Sequence, residues 1–517
     1  MTGTPTIGSR DATLPIGFQP MTMARGIHAA MLRNPDKIAI RHNDIVRTYR
    51  DLVARIDHVT NAAINDLKLA RGDNAAIVSR NCIEFFEIVC GLPEAGVAVA
   101  TVNNKLTPPE IEAICDDAEA KVLFCDSASA TALRGATFKT VKRVIEIGGD
   151  YEAWLARGRA PAERPLVDEW DTWTIPYTSG TTGKPKGVLV SHRSRILTFL
   201  AMALEYACYG PDDKFLGTTP MHHGAGISFP MAAIFGGGYM EFMDKFDAEA
   251  LLRRLKAGRF SGVFMVPTQF HQIFSLDPKV LDACRGIEIK TIISNAAPLP
   301  QALKEKIVAY FGEGKLHETY GSTEAGIVTN LRPPDQLRKL RCVGTPFLNT
   351  FVRIVDDAGI ECPPDVVGEL FSLSPHLFRG YWNKPKATAE TFRDGWVSVG
   401  DLARRDAEGH IYIVDRKKDM VITGGVNVYP REIEEVLFAH PAIADVAVIG
   451  VPDEKWGERL KAIVVPKLGA TVSAEDIAAF CEGKLAGYKI PRDIGTVTAL
   501  PRNANGKVLK TELRQVG

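Results

Sequence analysis

Charge of neither sign is in excess in this chain. Lys and Arg number 62 and Asp and Glu 62 among 517 residues, so the formal net charge is zero. A basic surface for nucleic acid or an anionic bilayer is therefore not expected. Nor does any apolar run approach the roughly 18 residues that a membrane span requires. Residues 1–20 lack the apolar h-region of a signal peptide, and their Gly, Thr and Pro content reads as a loose arm. The nine cysteines (Cys82, Cys90, Cys115, Cys125, Cys208, Cys284, Cys342, Cys362 and Cys481) are odd in number and scattered, with no CxxC spacing. Neither a zinc site nor a disulfide framework is indicated. Reduced, mostly buried thiols in a cytoplasmic protein are the expectation. Internal repeats and low-complexity segments are also missing.

What is present is the balance of a soluble globular protein, 45% hydrophobic and 24% charged, at a length that predicts two or more domains. From Thr48, read as an N-cap, Leu52, Ile56, Val59 and Ala63 recur at helical spacing. An apolar strand at Ala75–Val78 follows, then a helix around Ile83–Val89, a strand from Gly96 to Thr101, a helix opened by Pro108-Pro109-Glu110, and a strand at Val122–Cys125. Strands alternating with helices predict a parallel sheet covered on both faces. The alternation resumes after residue 185 and runs to about 320. From about 340, short strands broken by Gly, Pro and Asp predict a β-rich subdomain. The last hundred residues read as a small α+β unit. Pro430 opens a helix carrying Ile433, Val436 and Leu437. Val446–Val451 and Ala462–Val465 are strands, and Ser473 with Asp476 starts a helix carrying Ile477, Phe480 and Leu485. The join falls in the charged stretch Asp415–Asp419.

The strongest local signal is Tyr177-Thr-Ser-Gly-Thr-Thr-Gly-Lys-Pro-Lys-Gly187, which follows the apolar stretch Trp173–Tyr177. Glycines let backbone N–H groups turn toward an anion, and hydroxyls and lysines add donors, so the loop suits polyphosphate. It is not a Walker A loop: only two residues separate Gly180 from Gly183, and Pro185 follows Lys184. Read alone, it also fits a flexible loop with solvated lysines. Read alone, too, Tyr320–Glu324 fits a helix cap at Ser322 or Thr323 with a first-turn glutamate. The adjacent His222 and His223, if on a strand, point to opposite faces, so no metal site is expected there.

Together with Gly321-Ser-Thr-Glu324, Gly400-Asp401, Asp415-Arg416 and Gly506-Lys507, the loop resembles the adenylate-forming superfamily. That superfamily contains acyl- and aryl-CoA synthetases, firefly luciferase and peptide-synthetase adenylation domains. The five motifs occur in order, from about residue 30 to the end. The resemblance implies an α/β fold: a large N-terminal domain, 1–417, of parallel-type sheets with flanking helices plus a β-rich subdomain, and a small mobile α+β C-terminal domain, 418–517, hinged at about 415–419. It implies that Thr178, Ser179, Gly180, Thr181, Thr182, Gly183, Lys184 and Lys186 hold phosphates. Ala296, Ala297, Pro298, Glu318, Thr319, Tyr320, Gly321 and Ser322 would surround the nucleotide, with Tyr320 flanking adenine. Thr323 would contact the α-phosphate, and Glu324 with Thr181 would hold Mg²⁺, which prefers few carboxylates plus phosphate oxygens. Asp401 and Arg416 would face the ribose. His223 matches the position beside the substrate carboxylate, and Lys507 the catalytic lysine, whose ammonium offsets charge built in the transition state. Lys418 matches the hinge, and Gly424 and Gly425 would line the CoA tunnel.

The activity implied is ATP-dependent conversion of an acid to acyl-AMP, followed by transfer to CoA. The acyl pocket is expected to draw on His223, Gly224, Phe229, Gln269, Ser294 and Asn295. Around them Met231, Phe235, Phe264, Met265 and Phe270 favour an apolar acid, aryl or medium to long chain, with Gln269 and His271 the polar exceptions. An adenylation enzyme loading a carrier protein in trans shares the first step, a luciferase-like oxygenase shares the fold, and an ADP-forming kinase shares the phosphate loop. A homodimer is compatible with all of them.

Overall fold

Asn74–Val78 is buried along its whole length, as expected of a parallel strand that is covered by helices and has no polar side. In the computed structural model, which describes residues 19–179, 185–502 and 508–516, this strand pairs in parallel with Ala98–Val102 and Ala120–Asp126. Arg143–Ile147 and Thr172–Ser179 extend the parallel run at either side. Short antiparallel segments, Pro185–Gly187 and Val190–Ser191, complete seven strands. The expected arm, residues 1–20, falls outside the described residues except at its last two positions. The strand predicted from Gly96 begins two residues later. Gly96 turns at φ +75°, and a Cβ there would lie 2.6 Å from Arg71.

The helix predicted from Thr48 spans Tyr49–Asn65. Thr48 accepts the Asp51 N–H at 3.1 Å while the Thr48 N–H donates to the Asp51 carboxylate at 3.1 Å, a reciprocal cap. Its predicted apolar face is buried: Leu52 is 1% exposed, and Ile56, Val59 and Ala63 are 0%. Each large side chain of this kind stabilises by about 1.5–3 kcal/mol.

A second sheet has nine strands. Its parallel centre is Tyr239–Phe242, Lys214–Gly217, Gly262–Met265, Thr291–Ser294 and Leu316–Ser322, and Gly326–Leu331 folds back antiparallel on the last of these. The β-rich texture becomes a six-stranded sheet within residues 351–416. Ile411–Arg416 belongs to that sheet, and Val421–Thr423 to a separate five-stranded one. The chain changes sheets across residues 417–420, which contain an exposed turn at Lys417 and Lys418. The last sheet and its helices, Pro430–Phe438 and Ala474–Cys481, enclose their own core around Val428, Ile433, Leu437, Val448 and Val464. Ser473 and Asp476 form the predicted cap. The helix ends at Cys481, short of Leu485, which still packs on this core. Among the described residues no helix is long and apolar enough to cross a membrane.

Candidate active site

Thr178 and Lys186 face each other across an antiparallel hairpin, Thr172–Ser179 with Pro185–Gly187. The tip, Gly180, Thr181, Thr182, Gly183 and Lys184, lies outside the described residues, as does Lys507. The predicted loop therefore joins two strands and does not lead into a helix, unlike a Walker A loop. Gly187 is required at the hairpin base, since a Cβ would meet Ile175 at 2.8 Å and the Tyr177 ring at 3.0 Å. Ser179 pairs with Pro185 through the backbone. The Lys186 ammonium sits 4.9 Å from the centre of the Tyr381 ring.

Two helices border the same space: α1 (His192–Tyr206) and α2 (Gly224–Phe235). So does the hairpin of β1 (Leu316–Ser322) and β2 (Gly326–Leu331). Together with the Asn295–Ala296 turn and Arg416 they enclose a cavity of about 450 Å³. Thr178, Lys186, His223, Gly224, Phe229, Asn295, Ala296, Gly321, Ser322, Thr323, Glu324 and Arg416 line it. Residues more than two hundred apart in sequence thus converge on one pocket.

Tyr320–Glu324 is not a helix cap. Tyr320, Gly321 and Ser322 end β1, and Thr323 and Glu324 form the tip of the hairpin. Close approach of the two strands forces glycine at 321, where a Cβ would lie 2.0 Å from the Gly326 carbonyl. Ser322 Oγ accepts the Ala325 N–H at 3.0 Å and closes the turn. Thr323 abuts the other wall, its Oγ1 lying 3.8 Å from the point a Cβ on Gly224 would occupy. Glu324 Oε1 accepts from the Tyr381 hydroxyl at 2.8 Å. No partner engages its other oxygen among the described residues, and one free carboxylate oxygen on this cavity wall fits Mg²⁺. Among the described residues no cluster of three metal-ligating side chains occurs.

His222 and His223 sit in a turn before α2, not on a strand, and His223 is the residue preceding the helix. Burial lowers both pKa values, that of His222 to about 3, so both imidazoles are neutral at pH 7. Asp401 is buried, and Arg416 Nε reaches its Oδ1 at 2.8 Å. The Tyr320 hydroxyl donates to its Oδ2.

Several expected contacts are placed elsewhere. The Glu318 carboxylate is paired with buried Lys304 and accepts the Leu299 N–H at 3.2 Å, so its side chain is committed to bracing the turn at 294–300. Thr319 Oγ1 accepts from Asn295 Nδ2 at 2.7 Å. Gln269 is an internal brace, accepting from the Val266 N–H and donating to the Thr218 carbonyl, each at 3.0 Å. Ser294 is fully buried and does not line the cavity. Ala297 and Pro298 are exposed beyond its edge. Of the apolar candidates only Phe229 lines the pocket. Phe264 stacks behind it at 4.4 Å, Met231, Met265 and Phe270 are core, and His271 is exposed. Lys418 is exposed in the turn between sheets. Gly424 and Gly425 form an exposed two-residue hairpin turn with φ +57° and +80°, a geometry that favours glycine in its own right.

Missed by sequence reasoning were Arg195, Thr198 and Met202 on α1, Ser228 on α2, and Tyr381. The usable signal was position: α1 closely follows the Thr172–Ser179/Pro185–Gly187 hairpin.

Two family models match, "AMP-binding enzyme" over residues 27–382 and "AMP-binding enzyme C-terminal domain" over 432–507. A feruloyl-CoA synthase of an Amycolatopsis species is 32% identical over 504 residues, 97% of this chain and 98% of its own. The crystal structure of ATP-bound MatB from Rhodopseudomonas palustris is 31% identical with a TM-score of 0.86, covering 95% of this chain and 98% of that one. The o-succinylbenzoate coenzyme A synthetase (MenE) of Bacillus subtilis, solved with ATP and magnesium ion, is 27% identical with a TM-score of 0.84, over 96% and 99%. With a large α/β domain, a small C-terminal domain and family models matching both, this chain belongs to the AMP-binding, adenylate-forming enzyme family.

Proposed function

We propose that this enzyme is an AMP-forming acid–CoA ligase that couples a carboxylic acid to CoA through an acyl-adenylate. The observation that carries the reading is the convergence of the separated motifs on one cavity, with the phosphate hairpin, the Thr323–Glu324 tip and the His223–Gly224 turn on adjoining walls. A feruloyl-CoA synthase and an o-succinylbenzoate coenzyme A synthetase among the relatives support CoA as the acceptor.

In the first step a carboxylate oxygen attacks the α-phosphorus of ATP, and the bond to the β-phosphate oxygen breaks, releasing pyrophosphate. Thr323, the 178–187 loop and Lys507 stabilise the charge that builds there. Neutral His223 orients the acid by hydrogen bonding and not by charge. Asp401 and Arg416 receive the ribose, and Tyr320 flanks adenine. Glu324 and Thr181 would hold Mg²⁺, which would supply charge neutralisation at the phosphates. In the second step the domain 418–517 rotates about Lys418 on the domain 1–417, and the CoA thiolate displaces AMP from the acyl carbon. Gly424 and Gly425 would then border the path of the pantetheine arm.

The test is product analysis with a panel of acids and Mg-ATP, with and without CoA. AMP, pyrophosphate and acyl-CoA are expected; ADP overturns the reading. AMP and pyrophosphate without any acyl-CoA would instead favour a carrier protein as acceptor.

A further inference from the structure

The cavity face of α1 consists of Arg195, Thr198 and Met202, spaced so that they stack on one side of the helix. Arg195 is 9% exposed. Its Nε is buried without a partner, and among the described residues its guanidinium makes no hydrogen bond or ion pair. By contrast, buried Lys304 holds Glu318, and half-buried Arg55 holds Glu87 and Glu152. Burial lowers the Arg195 pKa to about 10, so the group stays charged at neutral pH.

Two carboxylates line the cavity, Glu324 and Glu390, but among the described residues neither pairs with Arg195. His376 lies on this side of the cavity, where it bonds Thr198 Oγ1 through Nδ1 at 3.2 Å and the Leu348 carbonyl through Nε2 at 3.1 Å, and burial lowers its pKa. His223 is neutral for the same reason. Of the other charged groups lining the cavity, Arg416 is held by Asp401, Glu324 by the Tyr381 hydroxyl, Lys186 lies over the Tyr381 ring, and Glu390 is exposed. A buried unpaired charge is strongly unfavourable, and Arg195 lines the cavity.

We propose that Arg195 receives a second carboxylate on the substrate, so that this enzyme prefers dicarboxylic acids whose hydrocarbon or aryl body packs on Phe229 and Met202. The inference rests on the acid-activating reading above and narrows its substrate class. A guanidinium presents a planar fork that matches a carboxylate, and Thr198 and Ser228 supply further hydroxyls on the same walls. A monocarboxylic acid would leave the guanidinium facing methylene or ring carbon.

The experiment compares pyrophosphate release for matched pairs, such as hexanoate with adipate and 3-phenylpropanoate with its ring-carboxylated form, in the parent, Arg195→Leu and Arg195→Lys. The parent should favour the diacid of at least one pair by roughly 10⁴-fold in kcat/KM, the scale on which a site built to hydrogen-bond a substrate group rejects the analogue that lacks it. Arg195→Leu should reverse that preference, losing the diacid and gaining on the monoacid. Arg195→Lys, which keeps the charge without the fork, should fall between. A parent that prefers the monoacid of every pair overturns the proposal. So does an Arg195→Leu variant that raises KM for ATP with the acid ratio unchanged, which would assign the guanidinium to the nucleotide. If Arg195→Leu does not fold, the parent's ratios and Arg195→Lys decide. Absence of pyrophosphate with every acid would instead refute the acid-activating reading itself.

Discussion

The hydroxyl of Tyr320 donates to Oδ2 of Asp401, joining the end of one sheet to the start of a strand in another. Because Arg416 engages Oδ1, the carboxylate is oriented from both sides before any nucleotide arrives. If that carboxylate receives the ribose, Asp401→Ala removes charge-assisted hydrogen bonds of about 1.5–3 kcal/mol each. KM for ATP should rise by roughly 10- to 100-fold with little change in KM for the acid. Tyr320→Phe keeps the ring and loses only the bond that orients, so its effect should be smaller. An unchanged KM for ATP in Asp401→Ala would remove the ribose assignment.

If Lys507 stabilises the charge built during adenylation, it separates the two half-reactions. Lys507→Ala should slow acyl-AMP formation by ~10²-fold or more, the scale for losing a positioned charge-stabilising donor. Under the proposed domain rotation, thioester formation from supplied acyl-AMP should be nearly untouched, because the lysine would have swung away by then. Equal loss in both assays would refute the domain rotation.

The hairpin at Gly424–Gly425 requires a control, because both residues have positive φ. Nothing lies within 4 Å of a Cβ at Gly425, so in the arrangement described a side chain there is strained but not blocked. Gly425→Ala carries the backbone strain, of order 1–2 kcal/mol, without bulk. Gly425→Leu adds the bulk. If the pantetheine arm passes this point, the leucine variant should form acyl-AMP normally and fail to make acyl-CoA, while the alanine variant makes both. Identical rates of thioester formation in the two variants would remove the tunnel assignment.

Ala296 occupies the left-handed region at φ +76°, where a Cβ is unfavourable by roughly 1–2 kcal/mol. Ala296→Gly relieves that strain and adds freedom to the unfolded chain, which offsets about half of it. A net gain of about 0.5–1 kcal/mol is expected in urea unfolding. A loss of stability would show that the alanine methyl packs favourably at the edge of the cavity.

His192 is fully buried. Its Nδ1 accepts the Met23 N–H at 3.1 Å, and burial lowers its pKa to about 4. In the unfolded chain histidine titrates near 6.5. The folded pKa is the lower one, so this contribution to stability is complete above about pH 6.5 and is lost as pH falls toward 4. His192→Gln cannot take up that proton. Between pH 6.5 and 4 its stability should fall less steeply than the parent's, by up to about 1.4 kcal/mol per pH unit. Parallel curves from denaturant titrations at pH 7, 6 and 5 would contradict the buried neutral assignment.

Local chemistry was enough to read much of the scaffold. Thr48, Pro108 and Ser473 mark helix starts because caps and N-terminal prolines act within one turn. Ala75–Val78 declares a buried strand because both of its faces must be apolar. The ordered glycine, hydroxyl and charged motifs pointed to the nucleotide chemistry because each uses a few adjacent residues. The walls of the acid pocket were not legible in this way. Residues 192–206 are buried on several faces, with His192, Arg195, Thr198, Phe199 and Met202 all covered. No amphipathic stripe therefore reveals which side meets the cavity. Gln269 and Glu318 stand in the expected segments, yet their side chains turn to Thr218 and Lys304, since neighbouring positions on a helix or strand face different ways. The family and the order of most elements were legible in local chemistry and motif order. Which side chains share a wall, and that Arg195 has no partner among the described residues, emerged from the fold alone, because both depend on distances between segments that no local spacing encodes.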